Sequence, residues 1–414
     1  MFVEVLAALS RENQLTILSL DGNHVPVKAL VCHQLEVISL DELSRNSLMM
    51  VLALPSNDTL EGLCLHKSEL NHEVLSSMLS FLSSCTRLRL LRLRACRFDE
   101  APESLTTLAK LLSCLSRGGR EWSLDLTGCN LTDCVVEVVA GALDGARALT
   151  SLDVSGCACL SDLGLQRLSS AGRELHVFSA LDCRSTSPKG AADFLVSLTT
   201  SARVVTPLLP PAATSDRVPR LSKLCLQRVP SCGIVSVGDA FGPSLRELHV
   251  PQSPRVDDEA LTALASACPL LETLNVEKCP LVGDEAIVAL SQHCKHLAFL
   301  NVKMCVRVSD EGVIALCDES SSAVIALTHL LLSGLKRVTD ASLLVIGSSS
   351  ICRSMINLVL LKTSVSDQGT VFFLFSVFTD MIKYNLMFCR GMRAPSSATY
   401  PPIPPHAPRL SRTI

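Results

Sequence analysis

The sequence is poor in aromatic residues and carries almost no excess of charge. Aromatics make up 4% of its 414 residues, with one tryptophan and two tyrosines, whereas 48% of the residues are hydrophobic. Any core must therefore be built mainly from aliphatic side chains. Lysine and arginine number 37 against 40 aspartates and glutamates. This balance does not favour a general polyanion-binding surface, and no nucleic-acid partner is expected, although the totals leave room for a local basic patch.

Signals for membranes and secretion are also missing. The apolar N-terminal stretch MFVEVLAALSRENQ has no basic region before it and contains Glu4, so it does not resemble a signal peptide. The most apolar run, VFFLFSVF at 371–378, is too short to cross a bilayer. We therefore expect no membrane association. We also expect a reducing intracellular compartment, the cytoplasm or the nucleus, in which the 19 cysteines are free thiols.

Catalytic and metal-binding motifs are absent as well. The sequence contains no GxSxG, no phosphate-binding loop and no HExxH. The nearest approaches to a metal site are the pair Cys157 and Cys159 and the group His293, Cys294 and His296, and neither has a second pair to complete a tetrahedral set. We therefore predict that the protein is not an enzyme and has no cofactor, metal or small-molecule substrate.

What the sequence does contain is a repeat. The stretch LNVEKCPLVGDEAIVAL at 274–290 returns 26 residues later as LNVKMCVRVSDEGVIAL at 300–316. The pattern Leu-x-x-Leu-x-Leu-x-x-Cys/Asn recurs 14 times, with a mean step of about 28 residues, which is the period of leucine-rich repeats. The core Leu-x-Leu begins clearly at Leu63, Leu91, Leu124, Leu152, Leu248, Leu274, Leu300 and Leu330, and more weakly at Leu18, Ile38, Phe178, Leu224, Leu358 and Tyr384.

Each unit is interpreted as one short strand followed by one helix. Leu-x-Leu alternation buries one face of a strand, and the second half of a unit, such as DEAIVALSQHC at 284–294, has apolar residues at helical spacing. One strand with one helix cannot bury its own apolar face, so neighbouring units must stack. Residues 1–390 are therefore predicted to form an α/β leucine-rich-repeat horseshoe solenoid. Its parallel strands would line the concave face and its helices the convex face.

Two segments depart from the repeat. The step from Phe178 to Leu224 is about 20 residues too long for the period and contains TPLLPPAATSDRVP. An exposed proline-rich loop is predicted near 199–219, with a degenerate fifteenth repeat starting at Val204 as the alternative. Residues 391–414 hold six prolines and are predicted to be a disordered tail. Its PPIPP stretch is either plain linker or a segment that binds an SH3 or WW domain.

Two polar positions recur in register and are interpreted as structural. The inner cysteine lies where the chain leaves the strand and turns inward, so its thiol is expected to satisfy buried backbone groups rather than to perform catalysis. The aspartate just before each helix is expected to cap that helix, which is worth about 1 kcal/mol. The inner cysteines are Cys96, Cys129, Cys157, Cys183, Cys279, Cys305 and Cys389, with Asn23 in the first unit. The aspartates are Asp133, Asp162, Asp258, Asp284, Asp310, Asp340 and Asp367.

These units resemble a known family. LTSLDVSGCACLSDLGLQRL at 149–168 and the two units at 268–316 are similar to cysteine-containing leucine-rich repeats, which are typical of F-box substrate receptors in cullin-based ubiquitin ligases and of related proteins without an F-box. WSLDLTGCNLTDCVVEVV at 122–139 resembles a ribonuclease-inhibitor-type repeat more closely. The resemblance implies a protein-binding role. We expect no F-box in this chain, because the repeats are predicted to begin near Leu15.

The residues between the buried strand positions are predicted to face the concave side and to bind a protein partner. Charges of both signs alternate there, whereas a nucleic acid would need a continuous basic track. The leading hypothesis is a non-enzymatic recognition scaffold, with a ubiquitin-ligase substrate adaptor as the version that the resemblance suggests. The alternative is a structural component of a cytoskeletal or multi-protein assembly; a ribonuclease inhibitor would need a strongly acidic inner face. The candidate residues are Arg92, Arg94, Asp125, Asp153, Gln227, Arg228, His249, Asn275, Glu277, Asn301 and Lys303.

Overall fold

The computed structural model describes residues 17–21, 36–43, 45–52, 59–117, 119–144, 146, 148–171, 175–203, 221–318, 327–370, 373 and 385–387. These residues belong to two compact units, Met1–Leu245 and Arg246–Ile414. Both units repeat one strand and one helix along the chain, so each is an α/β repeat structure. The predicted end of the repeats at residue 390 and the proline-rich tail lie outside the described residues.

The strands of the first unit form a parallel sheet in which neighbours in the chain are neighbours in space. The predicted first leucine of each repeat lies opposite the first leucine of the next repeat, as Leu63 does with Leu91 and Leu124 with Leu152. Because side chains alternate along a strand, this register places the predicted Leu-x-Leu positions on one face. The strands of the unit are β1 (Ile17–Asp21), β2 (Val37–Asp41), β3 (Gly62–His66), β4 (Glu69–Leu70), β5 (Leu90–Arg94), β6 (Arg97–Phe98), β7 (Trp122–Asp125), β8 (Leu149–Asp153), β9 (Val177–Ala180) and β10 (Lys223–Leu226), of which β4 and β6 pair with each other in a separate ladder.

The long step after Phe178 adds no strand between β9 and β10. These two strands pair directly, with Phe178 opposite Leu224. A fifteenth repeat therefore has no place between them, and Val204, its predicted start, lies outside the described residues. The preceding helix runs to Arg203, so the first part of the loop predicted near 199–219 is helical. The rest of that loop also lies outside the described residues.

The strands of the second unit form a parallel sheet with the same register. First leucines pair in succession, from Leu248 through to Leu358, which lies opposite Leu386. The start predicted at Tyr384 is therefore wrong by two residues, because the pairing makes Leu386 the equivalent position. The inner cysteine that this start predicts, Cys389, lies outside the described residues. The strands are β11 (Glu247–His249), β12 (Thr273–Asn275), β13 (Phe299–Asn301), β14 (His329–Leu331), β15 (Asn357–Val359) and β16 (Asn385–Met387).

Helices follow the strands, and consecutive helices within a unit pack against each other. They are α1 (Arg45–Leu52), α2 (His72–Ser83), α3 (Pro102–Arg117), α4 (Asp133–Leu143), α5 (Asp162–Ala171), α6 (Pro188–Arg203) and α7 (Ser231–Phe241) in the first unit, and α8 (Asp258–Ala267), α9 (Asp284–His293), α10 (Asp310–Leu316), α11 (Asp340–Ser348) and α12 (Ile351–Ser354) in the second. Their buried residues recur at helical spacing, as Leu261 and Leu264 do in α8 and Ile287 and Leu290 do in α9. Stacking thus buries apolar faces that one repeat alone would expose.

The core of each unit is mainly aliphatic, as the composition predicts. In the second unit Leu274 and Leu300 are completely buried. In the first unit an aromatic pair replaces leucine contacts: the ring of Phe178 on β9 stacks on that of Phe194 on α6, with centroids 4.7 Å apart. Close packing of this kind means that removing a large buried side chain leaves a cavity and costs stability.

In the repeats from β2 to β15, the strand that carries the first leucine ends in a turn with a left-handed residue four positions after that leucine. Ala95, Arg228 and Lys278 have φ of 51°, 58° and 60°, although such values are uncommon for residues with a side chain. The turn directs the N–H of that residue to the next repeat: Ala95 N donates to the carbonyl of Thr127 at 2.7 Å, and Lys278 N to that of Lys303 at 2.8 Å. The backbone ladder thus continues past the strands, which fixes the spacing of the side chains beside it.

Candidate partner-binding surface

The inner cysteines form a column of buried thiols that donate to backbone carbonyls of the preceding repeat. Each acceptor is the second residue of the buried Leu-x-Leu pair one repeat earlier: Cys157 Sγ lies 3.2 Å from the carbonyl oxygen of Leu126, and Cys305 Sγ lies 3.1 Å from that of Val276. The same contact is made by Cys96, Cys129, Cys183 and Cys279. The structural role predicted for these cysteines is confirmed at each of these positions.

Burial also makes these thiols poor nucleophiles. It raises the pKa of Cys157 and of Cys305 to about 12, so very little thiolate is present near neutral pH. Cys64, at an open position of β3, is only partly buried, and there too burial raises the thiol pKa, although the nearby Arg92 opposes the shift. Since the thiolate is the reactive form, burial lowers the reactivity of all three thiols.

Alkylation of the native protein should separate the cysteines by these surroundings. We expect iodoacetamide at mildly alkaline pH to label the exposed Cys134, Cys159 and Cys232 at least about 100-fold faster than Cys157 and Cys305. Mass spectrometry of peptides from a labelling time course measures the rates. Labelling of Cys305 in the folded chain as fast as that of Cys134 would contradict the buried column.

The recurring aspartates do cap helices, but not their own. Where the helix cap is defined, the residue before the aspartate occupies the capping position, as Ser309 does for α10 and Thr339 does for α11. The aspartate carboxylate instead reaches the following repeat: Asp284 accepts from the N–H of Ser309 at 2.7 Å and from its hydroxyl at 2.6 Å, and Asp310 accepts from the N–H of Thr339 at 2.8 Å. The prediction that each aspartate caps its own helix is therefore wrong for the six from Asp133 to Asp340, and it stays a prediction for Asp367. Stacking supplies the partner, which lies one repeat away.

Hydrogen bonding keeps the Asp310 carboxylate ionised. Burial alone would raise the pKa of this group, but bonds from the hydroxyl of Ser342 and from Thr339 outweigh that effect, and the pKa is lowered. A charged carboxylate at the start of a helix also interacts favourably with the helix dipole. These aspartates therefore hold neighbouring repeats together.

Within each repeat, the first and third residues after the first leucine alternate with the buried positions and lie on the opposite side of the sheet. We call this side of each sheet the open face. On the open face of the first unit, two arginines converge on one buried carboxylate. Arg94 Nε donates to Asp125 Oδ2 at 2.7 Å, and Arg92 Nε lies 3.6 Å from the same oxygen. Asp125 also accepts from the N–H of Thr127 at 3.0 Å. Two guanidinium groups on one carboxylate leave this cluster with a net positive charge.

Four of the predicted binding residues use their side chains to hold the chain where it leaves the strand. Asp125, Asp153, Asn275 and Asn301 each accept a hydrogen bond from the backbone N–H two residues later, at 2.9 to 3.1 Å. Such Asx turns are a known preference of aspartate and asparagine. The sequence analysis did not predict this role. Its signal in the sequence is an aspartate or asparagine directly after the first leucine of a repeat. These four side chains are therefore partly committed to structure.

Two further candidates are less available on the open face: Gln227 occupies an open position but is buried, and Arg228 lies one residue beyond it. Gln227 is buried and its Nε2 lies 3.4 Å from the carbonyl oxygen of Cys183. Arg228 occupies the left-handed turn position, and its guanidinium donates to the carbonyl of Thr186 at 2.7 Å. The period-two alternation ends at the turn, so Arg228 does not share the face on which Arg92 and Arg94 lie.

The remaining candidates lie on the open face of the second unit. His249 is half-buried, with its Nε2 3.7 Å from Glu247 Oε2. Glu277 Oε2 accepts from Asn301 Nδ2 at 3.3 Å, and the side chain of Lys303 is half-exposed in the neighbouring repeat. Glu277 and Lys303 occupy the same position of adjacent repeats and present opposite charges beside each other.

The open face also contains residues that the sequence reasoning did not select. His66 Nδ1 lies 2.5 Å from Asp41 Oδ1, and the hydroxyl groups of Ser155 and Ser179 are 2.7 Å apart. All four occupy the open positions of repeats whose first buried strand residue was correctly predicted. The register alone identifies them, because each stands one or three residues after the first buried strand position of its repeat.

Neither a metal site nor a membrane span is found among the described residues. In those ranges no three His, Cys, Asp or Glu side chains are grouped so as to hold a metal ion. A solvent-open groove on helices α4, α5 and α6 is lined by polar groups including Glu137 and Arg167, which form an ion pair at 2.6 Å. No helix within the described part of the chain is both long enough and apolar enough to cross a bilayer.

Comparison with known proteins finds the same type of repeat. A family described as Leucine Rich repeat matches residues 146–169, 267–291 and 293–317, each of which contains one strand and most or all of the following helix. Among solved structures, the crystal structure of the Rad7 and Elc1 complex in yeast is similar, with a TM-score of 0.56 and 16% identity, over 93% of this chain and 86% of that chain. No curated protein sequence matches. At this identity the structural likeness is one of fold.

Proposed function

We propose that this chain, which is a leucine-rich-repeat protein, is a non-enzymatic scaffold that recognises a partner protein through the open face of its sheets. The observation that carries the proposal is the in-register pairing of the strands within each unit. Parallel strands lie about 4.8 Å apart, so the open positions present side chains of both charges at regular spacing. Because such an array is already ordered, its residues lose little conformational entropy when a partner binds.

A narrower version of the proposal is a substrate adaptor in ubiquitin ligation. Its support is the resemblance of the cysteine-containing repeats to those of F-box receptors and of related proteins without an F-box. In the similar solved structure, Rad7 was crystallised with Elc1, so in that protein the fold is part of a complex. We place the protein in a reducing compartment, the cytoplasm or the nucleus, because the inner cysteines use their thiols as hydrogen-bond donors to backbone carbonyls.

The open-face residues do not contribute equally to this function. Side chains that already bond to their own turns, such as Asn275, have less to offer a partner. Arg94 has a half-exposed side chain, and Glu277 and Lys303 are partly exposed. We therefore expect these three charged groups to carry more of the binding free energy than the Asx residues beside them.

Exchanging two opposite charges on the open face tests the proposal. In the double variant Glu277→Lys/Lys303→Glu the net charge is unchanged, but the order of charges along the face is reversed. We expect the affinity for the physiological partner to fall at least about tenfold, because like charges then face each other across the interface. Affinity purification with quantitative mass spectrometry, followed by titration of the recovered partner, measures the loss.

The matched control exchanges an ion pair on the helices. Glu137→Arg/Arg167→Glu reverses a pair between α4 and α5 and should leave partner recovery unchanged. Equal recovery by the open-face variant and the wild type would rule out binding through Glu277 and Lys303. Recovery of cullin adaptors would favour the ubiquitin-ligase version, whereas recovery of filament proteins would favour the alternative of a structural component.

A further inference from the structure

The turns between strands and helices in the second unit form a second exposed surface. In the turns at 252–257, 278–283, 304–309 and 334–339, which follow the open positions, every exposed charged side chain is basic. Large apolar side chains are exposed among them: Leu281, Met304 and Val306 have exposed fractions of 41%, 45% and 52%. We call the basic rim the set of Leu281, Met304, Val306, Arg307, Lys336 and Arg337.

This one-sided charge arises because stacking turns the carboxylates inward. Asp258 accepts from the N–H of Gly283 at 2.6 Å, and Asp284 and Asp310 likewise accept from the turn of the following repeat. The acids of this region are therefore used within the protein, while the lysines and arginines remain outside. The near balance of charges in the sequence conceals this separation.

Two arginines of the rim are held in place by backbone carbonyls of neighbouring repeats. Arg307 donates to the carbonyl of Leu281 at 3.0 Å, and Arg337 donates to the carbonyl of Arg307 at 3.0 Å. Arg307 also lies 3.7 Å from Asp258 Oδ2, yet its side chain is 54% exposed. A guanidinium has several N–H donors in a planar fork that fits a carboxylate. Anchored arginines lose less side-chain entropy when such an acceptor binds.

We propose that the basic rim is a docking surface for an acidic segment of a partner protein, one in which aspartate or glutamate alternates with apolar side chains. The carboxylates would bind Arg307 and Arg337, and the apolar groups would cover Met304 and Val306. This surface is separate from the open face, so the inference goes beyond the function proposed above.

A protein segment fits the rim better than a nucleic acid does. A phosphate backbone needs a continuous basic track, and here exposed apolar residues interrupt the positive charge. Glu259, Glu285 and Glu311 are exposed in the first turn of the adjoining helices. They border the rim with negative charge, which would confine an acidic segment to the turns.

Peptide selection on the full chain tests the inference. Random peptides displayed on phage are selected against the wild-type protein, and an enriched peptide is then synthesised and titrated. We expect enriched peptides to combine net negative charge with large apolar residues and to bind more weakly as salt is raised. Binding of the synthetic peptide should fall at least about tenfold in both Arg307→Gln/Arg337→Gln and Val306→Asp. Glutamine removes the charge but keeps an N–H donor for the carbonyl.

Two control variants keep the test specific to the rim. Arg246→Gln/Arg353→Gln removes the same charge from exposed positions of the same unit outside the rim, and Glu277→Lys/Lys303→Glu alters the open face. Both should bind the peptide as the wild type does. Enrichment of neutral or basic peptides, tighter binding of a single-stranded oligonucleotide than of any peptide, or full binding by Arg307→Gln/Arg337→Gln would overturn the inference.

Discussion

Replacing Phe178 by alanine is expected to lower the free energy of unfolding of the first unit by about 3 to 5 kcal/mol, the usual cost of removing a buried ring. Phe178 is 1% exposed and stacks on Phe194, which is completely buried. The strand that carries it pairs with β8 on one side and β10 on the other. A cavity at this position therefore weakens the contacts between neighbouring repeats as well as those within one.

The single tryptophan provides the measurement. Trp122 is buried on β7 of the same unit, so its fluorescence during urea denaturation reports unfolding of that unit, while circular dichroism reports the whole chain. Phe178→Leu restores the residue type that most other repeats have at this position. It should lower the free energy of unfolding by less than half as much as alanine does. An unchanged Trp122 transition in Phe178→Ala would contradict the packing described for β9 and α6.

The strand register was predictable because one physical requirement sets it. A leucine spaced by two residues from another must be buried on the same side, and a shift of one residue would expose both. This holds even for weak units, as the pairing of Phe178 with Leu224 shows. It failed at Tyr384, because both Tyr384-x-Leu386 and Leu386-x-Phe388 in the sequence satisfy the alternation, and the pairing selects Leu386 as the start.

The partners of polar residues were less predictable, because they depend on contacts between repeats. The position of Asp284 before a helix is visible in the sequence, but its acceptor role toward Ser309 exists only when the next repeat stacks on it. In the same way, the alternation that places Arg94 on the open face says nothing of the buried Asp125 with which it pairs. The local sequence pattern determines the position of a side chain in the fold, and tertiary packing determines which groups it contacts.

Replacing Gly190 by alanine should destabilise the first unit by about 2 to 3 kcal/mol, although alanine in place of glycine within a helix normally stabilises by about 0.5 to 1 kcal/mol. Gly190 is in the first turn of α6, and a Cβ there would lie 2.0 Å from Asp162 Oδ1 and 2.3 Å from its Cγ. The carboxylate would have to move. It would then lose its hydrogen bonds from the N–H and hydroxyl of Ser187, which are 2.6 and 2.5 Å long.

A glycine in an open helix position is the matched control for this reversal of sign. A Cβ added at Gly141 of α4 would meet no atom of a neighbouring element within 4 Å, so Gly141→Ala should stabilise the same unit by about 0.5 to 1 kcal/mol. Urea denaturation followed by Trp122 fluorescence compares the two. In an Asp162→Ala background the cost of Gly190→Ala should shrink, because the clashing oxygens are gone. Equal effects of the two glycine substitutions would show that the carboxylate does not hold α6 to the preceding repeat.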